Sequence, residues 1–260
     1  MGNAGTNTGG AGGRAGGGAG AGAGGGPPLD PPIPVLGLAL WLSADYGVLP
    51  KGGPVKVWQD RSGNQANATQ AAVNVRPHFS DNGLGGKPTI EFSGGQFLTM
   101  PPGFGDFSKG LAGFMVIKPA DPKCASVIEL SNGSEIDDIA LSFFEGKWGY
   151  EVLTEFHSGG TVETSKPSLY AVVQRPAGAV DLTVNGDLIF QAPYLPPAAI
   201  ERQENFVGNT LYKDCGVYQG QISEIILYQR FVTEKEIVTI ETYLREHWAL
   251  PVGPTPTPQL

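Results

Sequence analysis

The chain has 260 residues, with 39 glycines, 22 prolines, 40% hydrophobic and 16% charged side chains. Its formal net charge of -8 and the lack of any Lys/Arg cluster exclude a phosphate-binding face, and so exclude nucleic acid and anionic membrane as partners. No apolar run reaches the length of a membrane span, which argues against direct membrane insertion, and no signal-peptide pattern of charged and apolar regions occurs.

Residues 1–34 read as a disordered tether. Gly and Ala dominate through Gly26, and Pro27, Pro28, Pro31, Pro32 and Pro34 then stiffen the chain, so nothing here can bury apolar surface. From residue 35 to residue 250 the pattern is one of short β runs between turn residues, about the size of a single all-β domain. A Pro/Thr-rich tail occupies 251–260, and its Gly-Pro-Thr-Pro pattern reads as another extended linker.

Within the domain, Leu36, Leu38, Leu40 and Leu42 alternate as an opening strand. Val55–Trp58 forms a second, followed by a turn-rich loop from Asp60 to Asn64. Further strands are predicted at Thr89–Phe92, Phe97–Met100, Leu111–Lys118, Ser126–Leu130, Ile139–Phe144, Trp148–Thr154 and Leu169–Gln174, while His157-Ser158-Gly159-Gly160 reads as a loop. Between Val180 and Phe190, Asn185-Gly186 supplies the two positive-φ positions of a type I′ hairpin. A last strand at Gln221–Gln229 leads to a capping box, Thr233 to Glu236. Beyond it Ile237, Ile240, Leu244 and Trp248 recur at helical spacing, and the Glu residues of the stretch Gly220–Leu250 are expected to be mostly solvated or capping. Short strands, frequent turns and no alternating helices predict an all-β, two-sheet antiparallel sandwich closed by one C-terminal α-helix.

Several segments, in order, carry a resemblance. They are Leu40-Trp41-Leu42-Ser43-Ala44-Asp45, then Val57-Trp58-Gln59-Asp60-Arg61-Ser62-Gly63-Asn64 with Ala68 and Gln70, and Arg76-Pro77. Gly86-Lys87-Pro88-Thr89-Ile90-Glu91-Phe92-Ser93-Gly94, Val184-Asn185-Gly186, the run from Gly220 to Tyr228, and Tyr243-Leu244-Arg245-Glu246-His247-Trp248 complete the set. Over Leu38 to Leu250 the chain resembles the laminin-G-like domains of the concanavalin A-like lectin/glucanase superfamily, in the form found in secreted and surface proteins of bacteria. The resemblance implies a jelly-roll of two curved sheets with the helix across the domain edge. It also implies a non-catalytic adhesion or glycan-binding role, in some members with calcium.

The residues themselves offer few sites. Retaining glucanases of this fold carry three acidic residues on one strand, two of them at the roughly 5 Å separation that double displacement needs. Glu135 and Asp137 match the first two positions, but Ile139 or Ala140 stands at the third, so that enzyme is excluded and a solvated acidic loop is expected. No Gly-x-Ser-x-Gly elbow accompanies His78, His157 or His247, and His247 falls where a cation suits the helix dipole. Asp60 and Asn64, and separately Asp137 and Asp138, are weak calcium candidates, with loop capping the simpler role for Asp60. Trp148 and Tyr150 share one strand face and are a candidate sugar-stacking platform, or else core. Cys124 and Cys215 are either a disulfide or two partly buried thiols. The expected function is thus a non-catalytic extracellular or cell-surface module for a glycan or a surface protein. A structural spacer and a glycoside-active enzyme using unrecognised carboxylates are the alternatives.

Overall fold

The computed structural model describes residues 1–2, 31–153, 155–176, 178–213 and 215–251. Residues 3–30 of the expected tether and 252–260 of the expected tail lie outside the described residues.

In chain order the strands are β1 (Leu38–Ser43), β2 (Val48–Leu49), β3 (Val57–Trp58), β4 (Ala68–Thr69), β5 (His78–Ser80), β6 (Thr89–Ser93), β7 (Leu98–Met100) and β8 (Leu111–Pro119). There follow β9 (Cys124–Ser131), β10 (Ile139–Phe144), β11 (Lys147–Val152), β12 (Glu155–Gly159), β13 (Ser168–Gln174), β14 (Ala179–Val184), β15 (Asp187–Pro193), β16 (Glu204–Val207) and β17 (Gln219–Tyr228), then the helix α1 (Glu234–Trp248). One sheet has eight strands in the order β15-β14-β13-β8-β17-β6-β5, with β1 also paired to β17; the other has nine, β12-β11-β10-β9-β16-β7-β4-β3-β2. The pairings are antiparallel, so the fold is the expected two-sheet jelly-roll sandwich with a C-terminal helix.

Strand alternation explains the core. Trp41, Trp58 and Trp148 are fully buried, each removing on the order of 200 Å² from water, about 5 kcal/mol gross at ~25 cal/mol per Å². Strands β8 and β17 are buried along almost their whole length, which requires cover on both faces. Part of it is α1, which packs against β8 and β13 and buries Ile240, Leu244 and Trp248. Its N-terminus carries the predicted capping box, with Thr233 Oγ1 accepting from the Glu236 amide and the Glu236 carboxylate accepting from the Thr233 amide at 2.8 Å.

The hairpin turn is as read: Asn185 and Gly186 have φ of 54° and 86°, both in the left-handed region that Asn and Gly tolerate. Two expectations need correction. His157-Ser158-Gly159 is not loop but part of β12, the outermost strand of the nine-stranded sheet, paired to β11, with Gly159 leaving room for the close approach of Ile189 in β15. Glu224 is not solvated but wholly buried, accepting hydrogen bonds from Trp41 Nε1, Trp248 Nε1 and, at 3.0 Å, the Tyr243 hydroxyl. No helix among the described residues is long and apolar enough to cross a membrane.

Candidate functional site

Strand β11 carries the aromatic pair singled out in the sequence, and alternation does put Trp148 and Tyr150 on one face. That face is the inner one. Both are 0% exposed; Trp148 packs on Phe143 and Tyr170 with ring centroids 5.4 Å away, and its indole N–H donates to Ala171 O. The Tyr150 hydroxyl donates to Gln174 Oε1 at 2.6 Å. The stacking-platform expectation for Trp148 and Tyr150 is therefore corrected: no sugar can reach rings whose polar ends are satisfied inside the core.

The outer face of the same strands holds what the sequence reading missed. Register places Glu129 of β9, Ala140 of β10, Glu151 of β11 and Phe156 of β12 in one row across the sheet. The next row is Ser126, Ser142, Gly149 and Ser158, a strip of small side chains. A Cβ at Gly149 would come within 2.1 Å of the Phe156 ring, so the ring lies directly over that glycine. Phe156 meets Phe144 edge to face at 5.7 Å, and Phe144 is 44% exposed. Together Ser126, Ser142, Phe144, Glu151, Phe156 and Tyr212 line a cavity of about 190 Å³.

Tyr212 arrives on the loop between β16 and β17. The Glu129 carboxylate, itself buried, accepts from the Leu211 amide at 2.8 Å and from Ser126 Oγ at 3.3 Å, which fixes the loop's entry. Its far end is held by a disulfide between Cys124 and Cys215, Cα atoms 4.9 Å apart, so the two cysteines are bonded rather than free. Gly216 N donates to Cys124 O at 2.9 Å beside it.

Three carboxylates meet around this loop. The Tyr212 hydroxyl lies in hydrogen-bond contact with Asp138 Oδ2, with Glu151 Oε1 at 2.8 Å and with Leu153 O at 2.9 Å. A phenol donates one proton, and ionised carboxylates and carbonyls only accept. The single phenol proton therefore cannot serve all three acceptors at once. Burial, followed by its acidic neighbours, pushes the Glu151 carboxyl up to about 7. Burial also raises Glu129 and Asp138, and burial with the two carboxylates raises the Tyr212 phenol.

The calcium candidates separate. Asp60 caps its loop: Oδ1 accepts from the Trp41 and Ser62 amides, both at 2.9 Å, and Oδ2 from Ser62 Oγ and the Ala66 amide. Asn64 donates to Leu38 O and Ala39 O, pinning the loop to β1. Asp137 faces Asn132 Nδ2 at 3.2 Å while Asp138 faces Tyr212, so the neighbours do not converge. Among the described residues no group of three His, Cys, Asp or Glu is arranged to hold a metal. Residues 135 and 137 have φ of 61° and 55°, which makes this segment a loop and not the glucanase strand. A larger hollow of about 450 Å³ at the sheet edge, lined by Glu155, Ala179, Tyr194 and Leu195, has its one phenol already tied to the Val152 and Glu155 backbone.

No family model matches the chain, and no curated protein matches it. Solved structures do. Domain 4 of AbnA, a GH43 extracellular arabinanase from Geobacillus stearothermophilus in complex with arabinotriose, superposes with a TM-score of 0.58 at 16% identity, over 78% of this chain and 97% of that one. The sialidase of Trypanosoma rangeli gives 0.57 at 14% identity, over 82% of this chain, which spans only 33% of the sialidase. The binding domain of Paraclostridial Mosquitocidal Protein 1 gives 0.58 at 11% identity, over 81% and 53%. At these identities the likeness establishes the sandwich fold.

Proposed function

We propose that the chain is a non-catalytic glycan-binding module of the laminin-G-like kind, working outside the cell. The observation that carries this reading is the pocket on the outer face of the nine-stranded sheet. It joins aromatic walls, Phe144 and Phe156, to the hydroxyls of Ser126 and Ser142 and the polar ends of Glu151 and Tyr212. Sugars are held in this way, apolar C–H faces against rings and hydroxyls against a few fixed polar groups. Similarity to a domain crystallised with arabinotriose supports the glycan class. The Cys124–Cys215 disulfide supports an oxidising, extracytoplasmic setting.

The alternative of a glycoside-cleaving enzyme has one observation in its favour, since a carboxyl near 7 suits a general acid. Against it, a phenol raised by two carboxylates is a poor nucleophile. A glycan array probed with the whole chain and with Phe156→Ala tests the reading, with the same sugars followed for released reducing ends. Binding that weakens about tenfold or more in the variant, without turnover, is expected. Binding indifferent to Phe156, or hydrolysis lost in Glu151→Gln, would refute it.

A further inference from the structure

We infer that the pocket's ligand is a sugar carrying a primary ammonium group, so that the module takes unacetylated hexosamine units in preference to neutral or acidic ones. The inference rests on the glycan-binding reading above and adds the charge of the ligand. Two observations carry it.

The first is the cavity itself. At about 190 Å³ it is smaller than the several hundred Å³ of a drug-sized site, and so fits one ring rather than a length of chain. Its aromatic walls and serine floor suit a ring with hydroxyls.

The second is a group of carboxylates that makes no ion pair among the described residues, with Arg202 acting on Asp138 only at a distance. Glu151 from β11, Glu129 from β9 and Asp138 from the turn before β10 all act on one another, and Glu135 adds to the field at Asp138 and Glu151. Of the three only Glu151 lines the cavity; Asp138, 1% exposed, stands behind Tyr212 with one oxygen on that hydroxyl and the other buried without a side-chain partner. The remaining groups that face the cluster are the Tyr194 phenol, whose hydroxyl is engaged by backbone, and Arg202. Arg202 is fully buried and spends its guanidinium on Asp137 O, Phe104 O, Ile200 O and Ala198 O. No lysine or arginine among the described residues makes an ion pair with Glu129, Asp138 or Glu151.

An acidic sugar would add a like charge to this wall, and a neutral one would bring no charge to oppose it. An ammonium in the cavity sits against Glu151, which lines it, and favours the ionised carboxylate, so the fraction of Glu151 still protonated gives its proton to solvent.

Calorimetry of the whole chain tests this. Glucosamine trimer, N-acetylglucosamine trimer, sialyllactose and a lysine tripeptide are titrated at about pH 6.5, in two buffers of different ionisation enthalpy. The amine trimer should bind about tenfold more tightly than its acetylated form, sialyllactose least, and binding of the amine should release a proton. In Glu151→Gln the ratio between the two trimers should collapse towards one. Equal or tighter binding of the acetylated trimer, or amine binding without proton release in the unaltered protein, overturns the inference and leaves the glycan reading standing. A lysine tripeptide that binds as tightly as the amine trimer overturns the assignment to a sugar. Failure of every glycan, here and on the array, overturns both readings.

Discussion

Glu224 holds three side-chain donors in the interior: the indoles of Trp41 and Trp248 and the phenol of Tyr243. It joins β17 to β1 and to two positions of α1. Burial raises it to about 7 despite those donors. Nearby, His247 meets Asp45 at 2.7 Å, a contact that raises the imidazole; Asp45 is itself opposed by burial but brought down to about 2 by His247 and Ser43. The signs follow from linkage. Glu224 and His247 are raised, so each contributes stability that is present at low pH and lost as pH rises through its folded value. Asp45 is lowered, so its contribution is lost only as pH falls towards about 2. The melting temperature should therefore drop as pH rises from about 4.5 to about 7, the interval over which Glu224 loses its contribution, and Glu224→Gln should melt lower at both ends while flattening that drop. A melting temperature that rises over this window would rule the anchor out. This residue could not be read from the sequence. A Glu in an apolar strand signals an anomaly, but its partners lie 183, 24 and 19 positions away. The same limit applied to Trp148 and Tyr150: alternation assigned them to a common face, and only the pairing of the sheets decides which face is inside.

At the scale of elements, the strands with strong alternation, the Asn185-Gly186 turn and the Thr233 capping box were legible because their signals are local. Strands β2, β4, β5, β12 and β16 were not, being short or polar and defined by their neighbours. The pocket failed to show for a related reason. Its rows, Glu129-Ala140-Glu151-Phe156 and Ser126-Ser142-Gly149-Ser158, exist only across strands. The one signal within reach was Gly149 between two aromatics, a glycine that leaves room for a close approach. The loop that carries Tyr212 depends on the Cys124–Cys215 bond, which closes 91 residues of chain. Replacing both cysteines by Ser should destabilise the protein by about 2–5 kcal/mol and weaken glycan binding together, read by denaturant melts and calorimetry. Binding retained at full strength in the folded double variant would show that the loop needs no anchor.

For the whole molecule, two sheets divide the work. The eight-stranded sheet takes the helix and its buried carboxylate anchor, while the nine-stranded sheet carries the cavity proposed as the glycan site. Composition set the broad expectation, since a net charge of -8 argues against phosphate-bearing partners, and the proposed choice of sugar rests on the local distribution of that charge. The central claim is the location of binding. Hydrogen exchange of the whole chain with and without a bound glycan tests it most directly. The account predicts added protection at residues 124–126, 142–144, 149–156 and 210–215, all around the pocket. Protection confined to the edge hollow at 178–195, or to the loop at 60–64, would contradict it.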